Sequence, residues 1–151
     1  MAEYLMGIDA GTGSVRVALF DFRGQNRAYA VAEYGTTYPK NGWAEQSDYE
    51  WFEALKKAIP ECIKKAGIAA DNIAAITCDA TTNTLVYLDE NDTSVRPPIL
   101  WMDVRATEEA SFIDTIREEY DATKFYKPGF RADTMVPKCM WVKKLSLIHI
   151  S

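Results

Sequence analysis

Residues 6–21 limit the fold of this chain more than any other part of its sequence. Two apolar runs, residues 4–8 and 15–20, flank a short stretch that is rich in glycine and hydroxyl side chains. In the second run apolar residues recur at every other position, which is the period of a β-strand. The sequence therefore predicts a β-hairpin with a small polar turn at its tip.

The turn of this hairpin has the composition of a phosphate-binding loop. Gly11 and Gly13 tolerate positive φ angles and have no Cβ, so an anion can approach the backbone N–H groups closely. Thr12 and Ser14 add hydroxyl donors. Asp9 ends a buried strand, where an unpaired carboxylate is costly, so it is expected to face a cation, a hydroxyl group or water. A hydrated Mg²⁺ that bridges to phosphate oxygens would suit it.

Two other kinds of phosphate loop are excluded by the same residues. The Walker A loop requires a lysine directly after its glycines, and none is present here. The dinucleotide-binding fingerprint requires a helix at that point, whereas the period of two predicts a strand. An ordinary glycine-rich turn without a ligand is the alternative interpretation, because short glycine motifs occur often by chance.

Composition restricts the class of protein. A chain of 151 residues with 48% hydrophobic and 26% charged residues is typical of a single globular domain. Its net charge of −5 argues against nucleic acid or an anionic membrane as a partner. No apolar stretch reaches the length of a membrane span and no signal-peptide pattern is found, so a cytoplasmic location is expected.

Cysteine and histidine usage narrows the chemistry. Cys62, Cys78 and Cys139 are widely separated, and the sequence predicts reduced, mostly buried thiols. His149 is the single histidine, so Ser-His-Asp and Cys-His catalysis are excluded within this chain. Carboxylates remain as the available acid–base groups.

The remaining pattern predicts an α/β fold in which helices flank a mixed sheet. Ser47 and Glu50 form a capping box for a helix that ends at Gly67, and Pro60 is expected to kink or divide it. Further strands are predicted at residues 27–34, 73–78 (buried), 84–88 and 99–103, and further helices at 106–120 and 136–145. Residues 146–151 are apolar and out of pattern, which suggests a non-native or truncated tail.

Three polar clusters, residues 9–16, 79–83 and 103–105, each follow a predicted apolar strand. Ligands in α/β proteins collect at strand ends, so the clusters are predicted to line one cleft. The alternative interpretation is that they are three unrelated loops. The short polar side chains of the second cluster suit a polyhydroxylated substrate, whose hydroxyls both donate and accept. Core packing is the favoured role for Trp43, and for Trp101 it is favoured over stacking on a sugar.

Residues 7–16, 86–89 and 101–106 resemble, in order and spacing, the N-terminal domain of FGGY-family carbohydrate kinases. Ribulokinase-like and xylulokinase-like pentulose kinases are the most similar members. The resemblance implies an actin-like, RNase H-like ATPase domain over residues 1–145. It also implies ATP and Mg²⁺ as cofactors, and phosphorylation of a sugar hydroxyl, with ribulose or xylulose as the expected substrate.

The resemblance also implies the roles of particular residues. Asp9 would lie near Mg²⁺, and the substrate contacts would include Thr82 and Asn83. The ATP phosphates would be bound by Gly11, Thr12, Gly13, Ser14 and Arg16. The further substrate residues would be Trp101, Asp103 and Arg105, which match the family's W-x-D-x-R motif, and Asp133.

Two departures from the family limit these implications. Glycerol kinases place Arg-Glu and xylulokinases Met-His where this chain has Thr82-Asn83, so the sugar is not identified. The family's catalytic aspartate lies beyond residue 151, so no catalytic residue is assigned and the chain alone is expected to be inactive. A nucleotide-switched actin-like binding module and an inactive fragment are the alternatives, and a homodimer formed through an exposed face is a possible assembly.

Overall fold

A computed structural model describes residues 3–116 and 129–148, and the chain divides into two compact units. The sheet unit comprises Met1–Thr36 and Ser47–Thr81, and the loop unit comprises Thr37–Gln46 and Thr82–Ser151. Residues 117–120 of the second predicted helix and residues 149–151 of the predicted tail lie outside the described residues.

The sheet unit is built on a four-stranded mixed sheet. Its strands are β1 (Tyr4–Ala10), β2 (Ser14–Asp21), β3 (Asn26–Glu33) and β4 (Ile73–Ala80), in the order β3-β2-β1-β4. The first three strands are antiparallel and β4 is parallel to β1, which confirms the predicted hairpin and mixed sheet. Asp9 on β1 pairs in register with Arg16 on β2 and with Asp79 on β4.

Helix α1 (Asp48–Ala66) packs against β2 and β3. The Ser47 hydroxyl accepts a hydrogen bond from the Glu50 N–H, and Gly67 ends the helix in the left-handed conformation, both as predicted. The helix runs through Pro60 without a break, so the predicted alternative of a divided helix is wrong, and the alternative of a kink stays a prediction. Pro60 is exposed, and at an exposed position water can satisfy the carbonyl group that the missing N–H leaves unpaired.

One face of the sheet carries the core of this unit. Alternation along β2 turns Val15, Val17 and Leu19 toward α1, where each is at most 1% exposed. Full burial of an aliphatic side chain of this size contributes about 1.5–3 kcal/mol. The other members of this core are Met6, Ala28, Ala30, Ala54, Ala58 and Cys62. The opposite face, which carries Asp9 and Arg16, is open.

β4 is exposed along nearly its whole length, so the predicted buried strand is wrong in burial. Ile76 is 59% exposed, because β4 lies at the edge of the described sheet and α1 packs over β2 and β3 instead. All three cysteines are free thiols, as predicted. Cys62 is buried, but Cys78 on β4 and Cys139 are exposed, so the prediction of mostly buried thiols is wrong for these two.

The loop unit lacks the two strands that were predicted at residues 84–88 and 99–103. Among the described residues these segments form only isolated bridges, which pair Leu85 and Glu45 with Ile99, and Leu88 with Ser94. Pro97 and Pro98 directly precede Ile99, and because proline has no N–H a regular ladder cannot extend there.

Two helices complete the loop unit, α2 (Thr107–Ile116) and α3 (Met135–Ile148), and they pack against each other. Ile113 is buried, whereas Phe112 is 52% exposed. Adjacent helical residues are about 100° apart around the axis, so Phe112 cannot share the face centred on Ala110 and Ile113. α3 continues past the predicted end at residue 145 as far as Ile148. Within the described ranges no helix combines the length and the apolar character needed to cross a membrane.

Candidate functional site

The tip of the first hairpin is a tight turn. The Gly11 N–H donates to the Ser14 carbonyl oxygen at 3.0 Å, and β2 begins at Ser14 without any helix. Neither Gly11 nor Gly13 uses the positive φ angle that glycine tolerates. A Cβ at Gly13 would meet nothing within 4 Å. The glycine therefore leaves open space beside the turn rather than relieving backbone strain.

Tyr34, which the sequence pattern did not indicate, holds this turn in place. Its hydroxyl donates to the Gly11 carbonyl oxygen at 2.5 Å, and its backbone N–H donates to the Gly13 carbonyl oxygen at 3.2 Å. Burial and the negative charge of Asp9 raise the pKa of the Tyr34 hydroxyl, so the phenol keeps its proton and remains a donor. Tyr34 directly follows β3, and the pairing of β3 with β2 is the signal that would have located it.

Asp9 and Arg16 form an ion pair beside the turn. The Arg16 Nη1 donates to the Asp9 Oδ2 at 2.9 Å, and the two side chains are 46% and 50% exposed for Asp9 and Arg16 respectively. An ion pair this exposed is screened by water and contributes little to stability, so either partner can exchange it for a charged ligand at small cost. Ser14 is only 8% exposed, and Thr12 is half-buried.

An open cavity of about 350 Å³ lies on the face of the sheet opposite α1. Asp9, Arg16 and Asp79 contribute its charged groups, and Gly7 and Tyr29 also line it. Because Asp9 and Asp79 are register partners, two carboxylates border the same space from adjacent strands. The cavity thus combines one cation with two anions next to a turn that has free space beside it.

These carboxylates are suited to a hydrated Mg²⁺, which proteins commonly hold through one or two carboxylates together with substrate phosphates. The part of the chain that the structure describes contains no group of three or more His, Cys, Asp or Glu side chains able to hold a metal ion. The residues therefore fit an ion shared with a phosphate ligand, and they do not fit an ion enclosed by protein alone.

The candidate substrate residues belong to the loop unit, whereas the hairpin belongs to the sheet unit. Their common cleft accordingly stays a prediction. Within the loop unit, the turn of Thr82 and Asn83 and the turn of Trp101 lie side by side. The Trp101 N–H donates to the Thr84 Oγ1 at 3.2 Å, and Leu85 and Ile99 exchange two backbone hydrogen bonds.

These two turns present polar and aromatic side chains to the outside. Thr82 is exposed, and Asn83 has a φ of +56°, a left-handed conformation that asparagine tolerates better than most residues. Trp101 is 42% exposed, so the prediction that it packs in a core is wrong. Trp43 is half-buried and packs edge-on against Trp141, in agreement with its predicted packing role.

The structure places the Asp103 and Arg105 side chains in the interior of the loop unit, whereas the resemblance implied that they contact the substrate. Both side chains are completely buried and form a two-pronged ion pair, with the Arg105 Nη2 2.7 Å from the Asp103 Oδ2 and the Nε 2.9 Å from the Oδ1. Asp103 also accepts the Ala44 N–H at 2.6 Å, and Arg105 bonds Glu45 at 2.7 Å. Direct contact with a substrate is therefore not supported for either side chain, because their polar atoms already bind protein partners.

The guanidinium of Arg105 also stacks on aromatic rings, 3.8 Å from the centroid of Trp43 and 5.0 Å from that of Trp141. Glu45 binds Arg96 as well, at 2.9 Å. Sequence patterns did not indicate Glu45, because its partners lie more than fifty positions away. This network ties the loop after Trp101 to residues 43–45.

Asp133, the remaining candidate, lies just before α3 and forms an ion pair with Arg131 at 2.7 Å. Its side chain is 22% exposed. The structure thus joins the turns of Asn83 and Trp101 directly, and it places Asp133 in the same unit.

Comparison with known proteins gives consistent matches. The chain is 33% identical over 143 residues to a xylulose kinase of Staphylococcus epidermidis, which covers 94% of this chain and 28% of that protein. It is 32% identical over 135 residues to a glycerol kinase of Rhizobium meliloti, covering 88% and 27% respectively. The crystal structure of a xyloylose kinase from Brucella ovis matches with a TM-score of 0.84 and 27% identity, covering 92% of this chain and 29% of that one.

This chain spans 28% of the length of the S. epidermidis relative. The model of the N-terminal domain of FGGY carbohydrate kinases matches residues 4–145. That range includes the hairpin with the predicted phosphate-binding turn, the adjacent turns of Asn83 and Trp101, and the buried Asp103–Arg105 pair. The chain therefore belongs to the FGGY family of carbohydrate kinases and corresponds to its N-terminal domain.

Proposed function

We propose that this chain is the N-terminal part of an ATP-dependent kinase that phosphorylates a hydroxyl group of a sugar or polyol, with a pentulose such as ribulose or xylulose as the expected substrate. The observation that carries the proposal is the hairpin turn, which accepts two hydrogen bonds from Tyr34. The turn lies beside a cavity lined by Asp9, Arg16 and Asp79. Kinases of this kind need such a place for the phosphates of ATP.

The hairpin residues would bind the phosphate groups. The backbone N–H groups of Thr12, Gly13 and Ser14 and the hydroxyl groups of the threonine and the serine would donate hydrogen bonds to phosphate oxygens. Gly11 would let the phosphates approach. Arg16 would exchange Asp9 for a phosphate oxygen, because its exposed ion pair is weak. Asp9, together with Asp79, would then be available to a hydrated Mg²⁺, which supplies neutralising charge when bound. Positioning and charge neutralisation of this kind supply most of the catalysis of phosphoryl transfer.

The paired turns of the loop unit would bind the sugar. Thr82 and the Asn83 amide would hydrogen-bond hydroxyl groups, since both donate and accept, and the exposed indole of Trp101 would pack against the C–H face of the sugar. Asp103 and Arg105 would act by fixing the Trp101 loop. Asp133 remains a further candidate contact.

The proposal is tested with the complete gene product that contains this chain, by measuring ADP formation from ATP and Mg²⁺ with D-ribulose, D-xylulose or glycerol. We expect Asp9→Ala to lower kcat/KM about 100-fold, the loss typical of removing one charge-stabilising group. Lys57→Ala, on the exposed side of α1, is the matched control and should leave turnover unchanged. Undiminished turnover in Asp9→Ala would contradict the site, and ATP binding without turnover of any sugar would favour a nucleotide-switched binding module.

A further inference from the structure

Lys138 on α3 is a completely buried cation whose partners are backbone carbonyl groups. Its ammonium donates to the carbonyl oxygens of Leu100 at 2.7 Å, Asn83 at 3.1 Å and Trp101 at 3.4 Å. A lysine ammonium has three donors and no acceptor, so these three carbonyls match its capacity. The side chain therefore joins the turn of Asn83 to the turn of Trp101.

Placing a lysine here costs free energy. Lysine is almost never fully buried, and an apolar side chain of similar length would fill the same space without desolvating a charge. Burial lowers the pKa of Lys138 to about 8, while the charges of Asp103 and Asp133 raise it and that of Arg105 lowers it further. A costly group at this position calls for a role that an apolar side chain cannot fill.

Two of the three carbonyls belong to Asn83 and Trp101, the residues whose side chains are proposed to contact the sugar. Asn83 has a left-handed backbone conformation with a φ of +56°, which surrounding contacts must hold in place. The bond from Lys138 is made to Asn83 itself. The bond to Trp101 is made at the peptide group next to the half-exposed indole.

We propose that Lys138 is a positioning residue for substrate selection: by bonding the carbonyls of Asn83 and Trp101 at once, it sets the spacing between the Asn83 amide and the Trp101 indole. Lys138 does not touch the sugar. The inference rests on the proposed function in that it takes these two side chains as the sugar contacts. The bridge itself is independent of that assignment.

The bridge is tested first without any sugar, by ¹⁵N NMR of this chain and its variants. In Lys138→Met we expect the Trp101 indole signal and the Asn83 backbone amide to shift and broaden, while the Trp51 indole signal in the sheet unit is unchanged. Lys138→Gln keeps two donors and should give a smaller change, and it decides the question if Lys138→Met does not fold. Lys143→Met, exposed on the same helix, is the matched control. Unchanged Asn83 and Trp101 signals would overturn the inference.

Substrate selection is then tested by kinetics of the complete gene product. Lys138→Met should raise KM for the pentulose about tenfold and leave KM for ATP within about twofold, since only the sugar contacts lose their spacing. Lys138→Gln should fall between this variant and the wild type. A joint rise of both KM values together with a lowered Tm would indicate a merely structural role and overturn the inference. Absence of turnover in the wild type would refute the proposed kinase function instead, and the NMR result would still decide whether Lys138 bridges the turns.

Discussion

Arg105 and Lys138 are two cations that the loop unit buries in different ways. Arg105 is held by the carboxylates of Asp103 and Glu45, and its planar guanidinium lies on the ring of Trp43. Lys138 is a compact charge held by carbonyl oxygens. A guanidinium group suits the first arrangement because it is planar and its N–H donors form a fork. An ammonium group is a compact charge and suits the second arrangement. Both cations hold the loop that carries Trp101.

Replacing Arg105 should destabilise the loop unit strongly. Arg105→Met leaves the buried Asp103 and Glu45 carboxylates short of a partner, which typically costs about 3–5 kcal/mol. Urea denaturation measures the loss of unfolding free energy. Arg131→Met breaks the pair with Asp133, in which the arginine is 74% exposed, and should cost less than about 1 kcal/mol. Equal losses in the two variants would contradict the buried network.

Replacing Tyr34 should lower the affinity for ATP more than it lowers the stability of the fold. Tyr34→Phe removes the hydroxyl that binds the Gly11 carbonyl oxygen, so the turn loses one of its two fixed points. We expect ATP affinity to fall roughly fivefold to tenfold, corresponding to about 1 kcal/mol, as measured by calorimetry. Tyr49→Phe, at an exposed position of α1, is the control. An unchanged ATP Kd in Tyr34→Phe would contradict a role for the Tyr34 hydroxyl in holding the turn for ATP.

Lys138 should give stability a distinct pH dependence. Its pKa is about 8 in the folded chain against 10.5 for an ordinary lysine, with burial as the main cause, Asp103 and Asp133 opposing the shift and Arg105 adding to it. Between these two pH values the unfolded state binds more protons than the folded state, so stability rises with pH. The unfolding free energy of the wild type minus that of Lys138→Met should therefore increase from pH 8 to 10.5 and stay flat below pH 8. A difference that stays flat over this range would show that burial does not lower the pKa of Lys138.

At the scale of elements, β4 is the least protected part of the sheet unit. It lies at the edge of the described sheet, and most of its residues are exposed. An edge strand presents unpaired N–H and C=O groups that can pair with a second copy of the chain. Ile76, at 59% exposed, adds apolar surface at this edge.

Self-association of this chain should therefore depend on β4. We expect size-exclusion chromatography to show dimers or larger species at high concentration, and Ile76→Lys to shift them toward monomer, since a charged edge blocks strand pairing. Phe52→Lys removes a comparably exposed apolar side chain, 62% exposed on α1, and should have little effect. Equal effects of the two substitutions would indicate unspecific hydrophobic association instead.

At the scale of the whole molecule, this chain matches the N-terminal domain of kinases that are several times longer. We expect the chain by itself to bind ATP, because the hairpin and its cavity lie within one unit, but to form no ADP with any pentulose. Calorimetry and a coupled ADP assay measure the two properties, with Asp9→Ala as the negative control for binding. Sugar-dependent ADP formation by this chain would show that it carries its own catalytic base.

The sequence by itself determined the hairpin, α1 with its two caps, and the family. Each of these depends on residues close together in the chain, through alternation, capping contacts or a short motif, and local physics suffices to specify them. Only the tertiary structure decided that β4 is exposed, that Asp103 and Arg105 are buried, and that Tyr34 and Lys138 hold the two candidate sites. Tyr34, Asp103, Arg105 and Lys138 each bond a partner 23 to 60 positions away, which packing brings near and which no local pattern encodes.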